Sequence, residues 1–221
     1  MNFSKKQIEL KKNIELGKIK IKVKPLFIHI PKAAGSWFHK IVEVINDDVP
    51  EGYNFHKEVS FYDKFYRKEC FVFSMVRNPY DRLVSAHQYL TSGITHKHEI
   101  HLNEGDAEIG ATLSKDFKRF VKKDLDKMME VLHFRPMVEW LDRKIDFIGK
   151  VETYDTDFDF ISKKIGLPKK ASQKVNRRSK RLERGEKFKH YTEYYDDETR
   201  QIVAQRFAKD IEYFGYEFGE H

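Results

Sequence analysis

Two short, uninterrupted apolar runs set the terms for this chain. Leu26-Phe27-Ile28-His29-Ile30 and Cys70-Phe71-Val72-Phe73-Ser74-Met75-Val76 each end at a proline turn, Pro31 in one case and Arg77-Asn78-Pro79 in the other. Such runs read as strands buried on both faces, the form that strands take in parallel sheets. Helical spacing follows each, from Ser36 to Ile45 and from Asp81 to Tyr89. A third strand is expected at 145–149, with a helix over 156–165 closed by Gly166-Leu167-Pro168. Strands that alternate with helices predict an α/β fold, a three-layer arrangement with a central, mainly parallel sheet flanked by helices. Further helices are expected at 117–129, 137–141 and 196–214, with a weak one over 3–16. Ile19, Ile21 and Val23 alternate with lysines in the period of a half-exposed strand. Residues 93–110, polar and His-rich, read as a long surface loop.

Composition supports a globular chain. Charged residues make up 35 % of the 221, against about 25 % in an ordinary domain, but 18 Phe, 11 Tyr and 2 Trp supply a core. The length predicts one domain, here residues 25–221, with a Lys-rich appendage over 1–24. Cys70 is the sole cysteine, so no intrachain disulfide and no cysteine-based zinc cluster can form. No apolar run reaches the roughly 18–20 residues of a membrane span, and the N-terminus has no signal-peptide core. A cytoplasmic protein is expected.

The net charge of +7 is local. Ten basic residues and two acids lie between Lys169 and His190, so this segment carries +8 and the rest of the chain −1. A concentrated charge points to an anionic ligand. Parallel sheets collect ligands beyond the carboxyl ends of their strands, and loops 31–36 and 77–85 both leave from such ends. In Pro31-Lys32-Ala33-Ala34-Gly35-Ser36, a lysine, small residues, a glycine and a hydroxyl sit at a strand-to-helix turn, the composition of a phosphate cradle. The order is not that of a Walker A loop, whose lysine follows its glycines. Arg77 at the second strand end and Ser85, eight residues on, form a second pair suited to a phosphate. Asp81 and Arg82 read as a local ion pair or cap.

The run from Phe27 to Ser36 resembles the 5′-phosphosulfate loop of sulfotransferases, in particular the family that contains the heparan sulfate 2-O- and chondroitin sulfotransferases. Val76-Arg77-Asn78-Pro79-Tyr80-Asp81-Arg82-Leu83-Val84-Ser85-Ala86 is similar to that family's 3′-phosphate motif, and 133–136, 147–168 and 191–218 are similar to later stretches. The resemblance implies a P-loop-like fold and the donor 3′-phosphoadenosine 5′-phosphosulfate (PAPS). Its sulfuryl group would pass to a hydroxyl acceptor, a saccharide by family likeness, leaving adenosine 3′,5′-bisphosphate (PAP), with no metal. On that reading Lys32 stabilises the leaving oxygen, and the loop Lys32, Ala33, Ala34, Gly35, Ser36 and Trp37 binds the 5′-phosphate. Arg77 and Ser85 hold the 3′-phosphate, and Arg177 and Ser179 in the basic segment close over the nucleotide. His56 resembles the base of the 2-O-sulfating relatives, with Glu58 and Asp63 in reserve.

Three positions depart from the family pattern: Ala33 replaces a threonine, Trp37 a small hydroxyl residue, and Met137 a glutamine. His29 reads as a core histidine. His96, His98, Glu99 and His101 fit no metal-binding helix pattern. A P-loop nucleotide kinase, or a basic nucleic-acid-binding module using 169–190, are the competing readings.

Overall fold

The structure, a computed structural model, describes residues 5–46, 56–62, 69–91, 104–168 and 189–220. Arg177, Ser179, Asp63 and the cluster at His96, His98, Glu99 and His101 lie outside the described residues. The chain divides into two compact units, 1–76 with 139–185 and 77–138 with 186–221.

The first unit holds the sheet. Strands β1 (Lys24–Ile28), β2 (Cys70–Val76) and β3 (Phe147–Lys150) are parallel in the order β1-β2-β3, with Leu26 opposite Val72 and Met75 opposite Gly149. This is the expected α/β architecture, a parallel sheet flanked by helices. Pro25, which has no N–H to give a ladder, falls on an outer strand of the three. β2 is central and buried along almost its whole length, and its one hydroxyl, Ser74, donates to the Ile28 carbonyl at 2.8 Å. Helix α2 (Ser36–Ile45) turns Phe38, Ile41, Val42 and Val44 inward, and α8 (Tyr154–Ile165) contributes Phe158, Ile161 and Ile165. Phe27, Phe38 and Phe73 pack with ring centroids 5.1–5.5 Å apart, and Phe158 joins at 5.4 Å from Phe38. Helix α1 (Lys5–Glu15) and the short α3 (Val59–Tyr62) complete the described helices before β2.

The strand expected at Ile19–Val23 does not form. Its backbone turns instead to the end of α8, where the Lys22 N–H donates to the Ile165 carbonyl at 2.8 Å. Gly166 makes that meeting possible: its φ is +98°, and a Cβ there would lie 2.4 Å from the Lys20 carbonyl oxygen. The same left-handed glycine ends α8, as its sequence signal predicted.

The second unit is helical: α4 (Pro79–Thr91), α5 (Glu104–Thr112), α6 (Phe117–Lys123), α7 (Leu125–Met128), α9 (Asp197–Arg206) and α10 (Ala208–Phe214). Its core gathers Leu83, Val84, Leu90, Phe120, Phe134, Val203 and Phe207. The loop expected over 93–110 is helix from Glu104 onward. No apolar stripe announces α5, because a polar residue docks it: buried Asp106 accepts from the Tyr89 hydroxyl at 3.3 Å and lies 3.5 Å from His133. Gly110 also belongs to this contact, since a Cβ there would meet the Leu90 carbonyl oxygen at 2.1 Å. The helix expected over 117–129 divides at Asp124, whose carboxylate accepts the Ser114 N–H at 3.3 Å. Residues 137–140 form a 3₁₀ turn rather than an α-helix.

Asp210, with no exposed surface, anchors this unit. Its two oxygens accept the Met137 and Val138 N–H groups at 2.8 and 2.9 Å. Burial pulls the Arg82 guanidinium down to about 10, while the charge of Asp210 opposes that shift. Arg82 is therefore buried within the field of Asp210 and donates to the Arg135 carbonyl at 3.0 Å, while Asp81 pairs with Arg77 instead. Removing one member of a buried pair costs about 3–5 kcal/mol. Asp210→Ala is expected to lower the thermal midpoint by about 10 °C; a midpoint within 2 °C of wild type would refute this role.

Candidate active site

The turn between β1 and α2 is strained on purpose-built lines. Lys32 and Ala34 both occupy the left-handed region, at φ 66° and 57°, which costs a residue with a Cβ about 1–2 kcal/mol. Gly35 returns to right-handed backbone at φ −76° and ψ −12°. A left-handed residue beside a right-handed one aims successive N–H groups toward one point, the concavity that binds anions. α2 begins at the next residue with no side chain capping its N-terminus, so its first N–H groups and its dipole face the same place. Ser36 is exposed and Lys32 half-buried.

Each loop residue is separately constrained. The Ala33 N–H donates back to the Ile30 carbonyl at 3.4 Å, and its methyl is buried. The Trp37 ring packs on Phe158 with centroids 4.5 Å apart. Gly35 has the least room: a Cβ would sit 2.3 Å from His29 Cδ2, 2.7 Å from His29 Nε2 and 2.8 Å from Phe27 Cε1.

Under the loop lies a group of three imidazoles. His29 and His56 face one another with centroids 4.6 Å apart and planes tilted 31°, and His39 meets His29 edge-on at 5.7 Å. His56 Nδ1 donates to the His29 carbonyl at 2.9 Å. A carbonyl can only accept, so Nδ1 carries the proton and Nε2 of the neutral ring is left as the basic atom. Trp140, almost wholly buried, stands against His56 at 6.1 Å. Burial, then the neighbouring His56, holds His29 well below its usual range. Burial brings His39 down to about 4 and pushes Glu43 up. Their side chains meet at 3.2 Å, His39 Nε2 to Glu43 Oε1. His29 is not the fully satisfied core histidine that its position promised, since its buried Nδ1 has no hydrogen-bond partner among the described residues. Glu58 is half-buried at the start of the segment leading to α3.

Arg77 and Ser85 belong to the second unit. Arg77 follows the last residue of β2, and its Nε and Nη2 both bond one oxygen of Asp81, at 2.8 and 2.7 Å. Asp81 thus orients Arg77, and Ser85 comes one helical turn later on the same half-exposed face of α4. The cap of α4 is Asn78, whose Oδ1 accepts the Tyr80 N–H at 3.1 Å while its Nδ2 donates to the Glu217 carbonyl at 2.8 Å. The Arg77–Asp81 pair has the i,i+4 spacing of a helical ion pair, the one signal in the sequence that marks it. Nothing in the sequence marked His39, Glu43 or Trp140 as neighbours of the site. A cavity of about 310 Å³ in the second unit, lined in part by His87, Phe117 and Tyr194, contains none of the expected site residues. Among the described residues no group of three or more His, Cys, Asp or Glu is placed to hold a metal, and no helix is long and apolar enough to cross a membrane.

Residues 19–217 match the model of the sulfotransferase family, and the chain belongs to that family. No curated protein and no solved structure matches it.

Two outcomes follow from the packing. A methyl at position 35 overpacks a closed site, at a cost of about 1–3 kcal/mol. Gly35→Ala should lower the urea midpoint accordingly, and an unchanged midpoint would mean that the ring beneath can move aside. The second concerns acid. The unfolded chain protonates His39 near pH 6.5 and the folded chain only near 4, so between these values the unfolded state holds more protons and stability falls as pH falls. His39→Gln should flatten the decline of the urea midpoint from pH 6.5 to 4, and an identical slope in the variant would exclude His39 as its source.

Proposed function

We propose, from membership of the sulfotransferase family, that this protein moves the sulfuryl group of PAPS to a hydroxyl of a carbohydrate or glycoconjugate in the cytoplasm, by in-line transfer. The observation that carries this reading is the anion loop itself, with two left-handed residues, Lys32 and Ala34, at the uncapped start of α2. Residues 25–221 would form the transferase domain, with 1–24 as its appendage.

The chemistry asks for positioning and charge stabilisation. The acceptor oxygen attacks sulfur as its proton passes to His56 Nε2. The bond between sulfur and the bridging oxygen breaks, and the electron pair leaves with the 5′-phosphate. Lys32 meets the charge that develops on that oxygen. Backbone N–H groups of Gly35, Ser36 and Trp37 bind the phosphate, with Ala34 shaping the turn; Ala33 serves by packing, because its N–H is turned to Ile30. Arg77, oriented by Asp81, and Ser85 take the 3′-phosphate. Arg177 and Ser179 keep their expected part as a cover over the nucleotide. The PAP product carries the same two anionic ends, and no metal is required where cationic side chains and a helix dipole balance the charge.

A thermal-shift titration with PAP, beside AMP and ATP, tests the donor. A ligand at about 100 times its dissociation constant stabilises by about 2.7 kcal/mol. Stabilisation by PAP but not by ATP, lost in Arg77→Ala, is the expected result; an equal response to ATP would favour a nucleotide kinase. For the base, His56→Ala should retain the PAP response and lose about 10²–10⁴-fold in transfer of labelled sulfate from PAPS to saccharide acceptors. Turnover equal to wild type would remove His56 from the mechanism.

A further inference from the structure

His29 is a poor candidate for chemistry and a good one for alignment. The residue as a whole stays partly exposed, but its ring is packed on by four neighbours. Gly35 of the anion loop rests on its Cδ2–Nε2 edge so closely that a Cβ would lie within 2.7 Å of both atoms. Phe27 stands at 5.5 Å and His39 edge-on at 5.7 Å. The remaining face is turned to His56, 4.6 Å away. The same residue supplies the carbonyl that fixes the His56 tautomer. A ring clamped by a backbone on one side is a rigid surface for whatever packs on the other, because close-packed interiors transmit displacement instead of absorbing it.

We infer that the His29 imidazole is a positioning residue: pinned beneath Gly35, it forms the wall against which the His56 ring is set, so that Nδ1 stays on the His29 carbonyl and Nε2 remains the basic atom. This rests on His56 being the base of the proposed transfer. His29 itself gives and takes no proton in the reaction. The imidazole suits the wall because it is flat, fits under the glycine and stays uncharged there. A neutral side chain of similar size without a ring, glutamine, keeps the polarity and removes the flat surface.

The test reads the tautomer directly. In wild type, imidazole ¹⁵N resonances of His56 are expected to show one dominant form protonated at Nδ1. In His29→Gln they should move to a mixture of the two tautomers, while PAP still stabilises the protein with an affinity within threefold of wild type. Transfer of labelled sulfate from PAPS should fall at least tenfold in kcat with the donor KM within threefold. In the His56→Ala background the same substitution should cause no further fall, since a wall has no effect without the ring it positions. His29→Asn serves as the second variant if His29→Gln does not fold, judged by far-ultraviolet circular dichroism. An unchanged His56 tautomer in the variant overturns the inference and leaves the His56 base standing. A further tenfold loss in the His56→Ala background overturns it too, by showing that His29 acts through the loop alone. Wild-type turnover in His56→Ala would remove the base reading, and the tautomer measurement would still decide whether His29 positions the ring.

Discussion

Gly35 lies where a single added methyl would run into two rings, and much of the first unit depends on that close approach. The loop before it carries two residues in left-handed backbone, a conformation that relaxes unless its surroundings hold it. What holds it is packing at both ends. β1 is fixed through Phe27 to Phe38 and Phe73, and α2 is fixed through Phe38 and Trp37 to Phe158 of α8. Between these anchors the loop has one seat, the edge of His29. A bulkier residue at 35 would lift the loop from that seat, and the N–H groups at the start of α2 would lose their common aim.

Buried ionisable groups meet one of two fates, and each unit supplies an example. In the first, burial and mutual proximity keep His29 and His39 uncharged near neutral pH. An imidazole can shed its proton, so burying it carries no standing charge. In the second, Arg82 cannot deprotonate in the same range, and a carboxylate must accompany it; Asp210 does so while also accepting two backbone N–H groups. Arg77 is a third case. It is partly exposed, and Asp81 holds its fork by one oxygen. Such a contact at a solvent-facing site adds little stability, but it restricts where the guanidinium points, which matters more for a group expected to meet a phosphate.

The parts of this molecule that were legible in sequence are those dictated by local rules. Apolar runs of strand length gave β1 and β2, and the Gly-Leu-Pro signal gave the end of α8. Lysine, small residues and glycine after a strand marked the turn that carries two left-handed residues and is proposed as the anion loop. The illegible parts depend on contacts distant in sequence. Residues 19–23 carry the alternation of a strand, yet the backbone there pairs with the end of α8. α5 has glycines at 105 and 110 and no apolar face, and it forms because Asp106 and Gly110 fit against α4 and the 131–136 turn. Arg82 was misassigned for the same reason: beside Asp81 in sequence, it turns inward to a residue 128 positions on, an acid that no local pattern could couple to it.

The division between legible and illegible also separates two kinds of function. An anion site built from backbone N–H groups requires particular backbone angles, and only a few residue types accept them, so it leaves a short motif. A base is different. Any histidine can serve if its tautomer is fixed, and for His56, the proposed base, the fixing group is the main-chain carbonyl of residue 29. A main-chain acceptor leaves no trace in side-chain identity, so His56 cannot be told from other histidines by composition or spacing. What does leave a trace is the surface that steadies the ring. His29 follows the end of β1, and its imidazole lies between the glycine of the loop and the ring of His56. In this way the residue proposed to tie the loop to His56 is read from contacts, while the loop itself is read from its short motif.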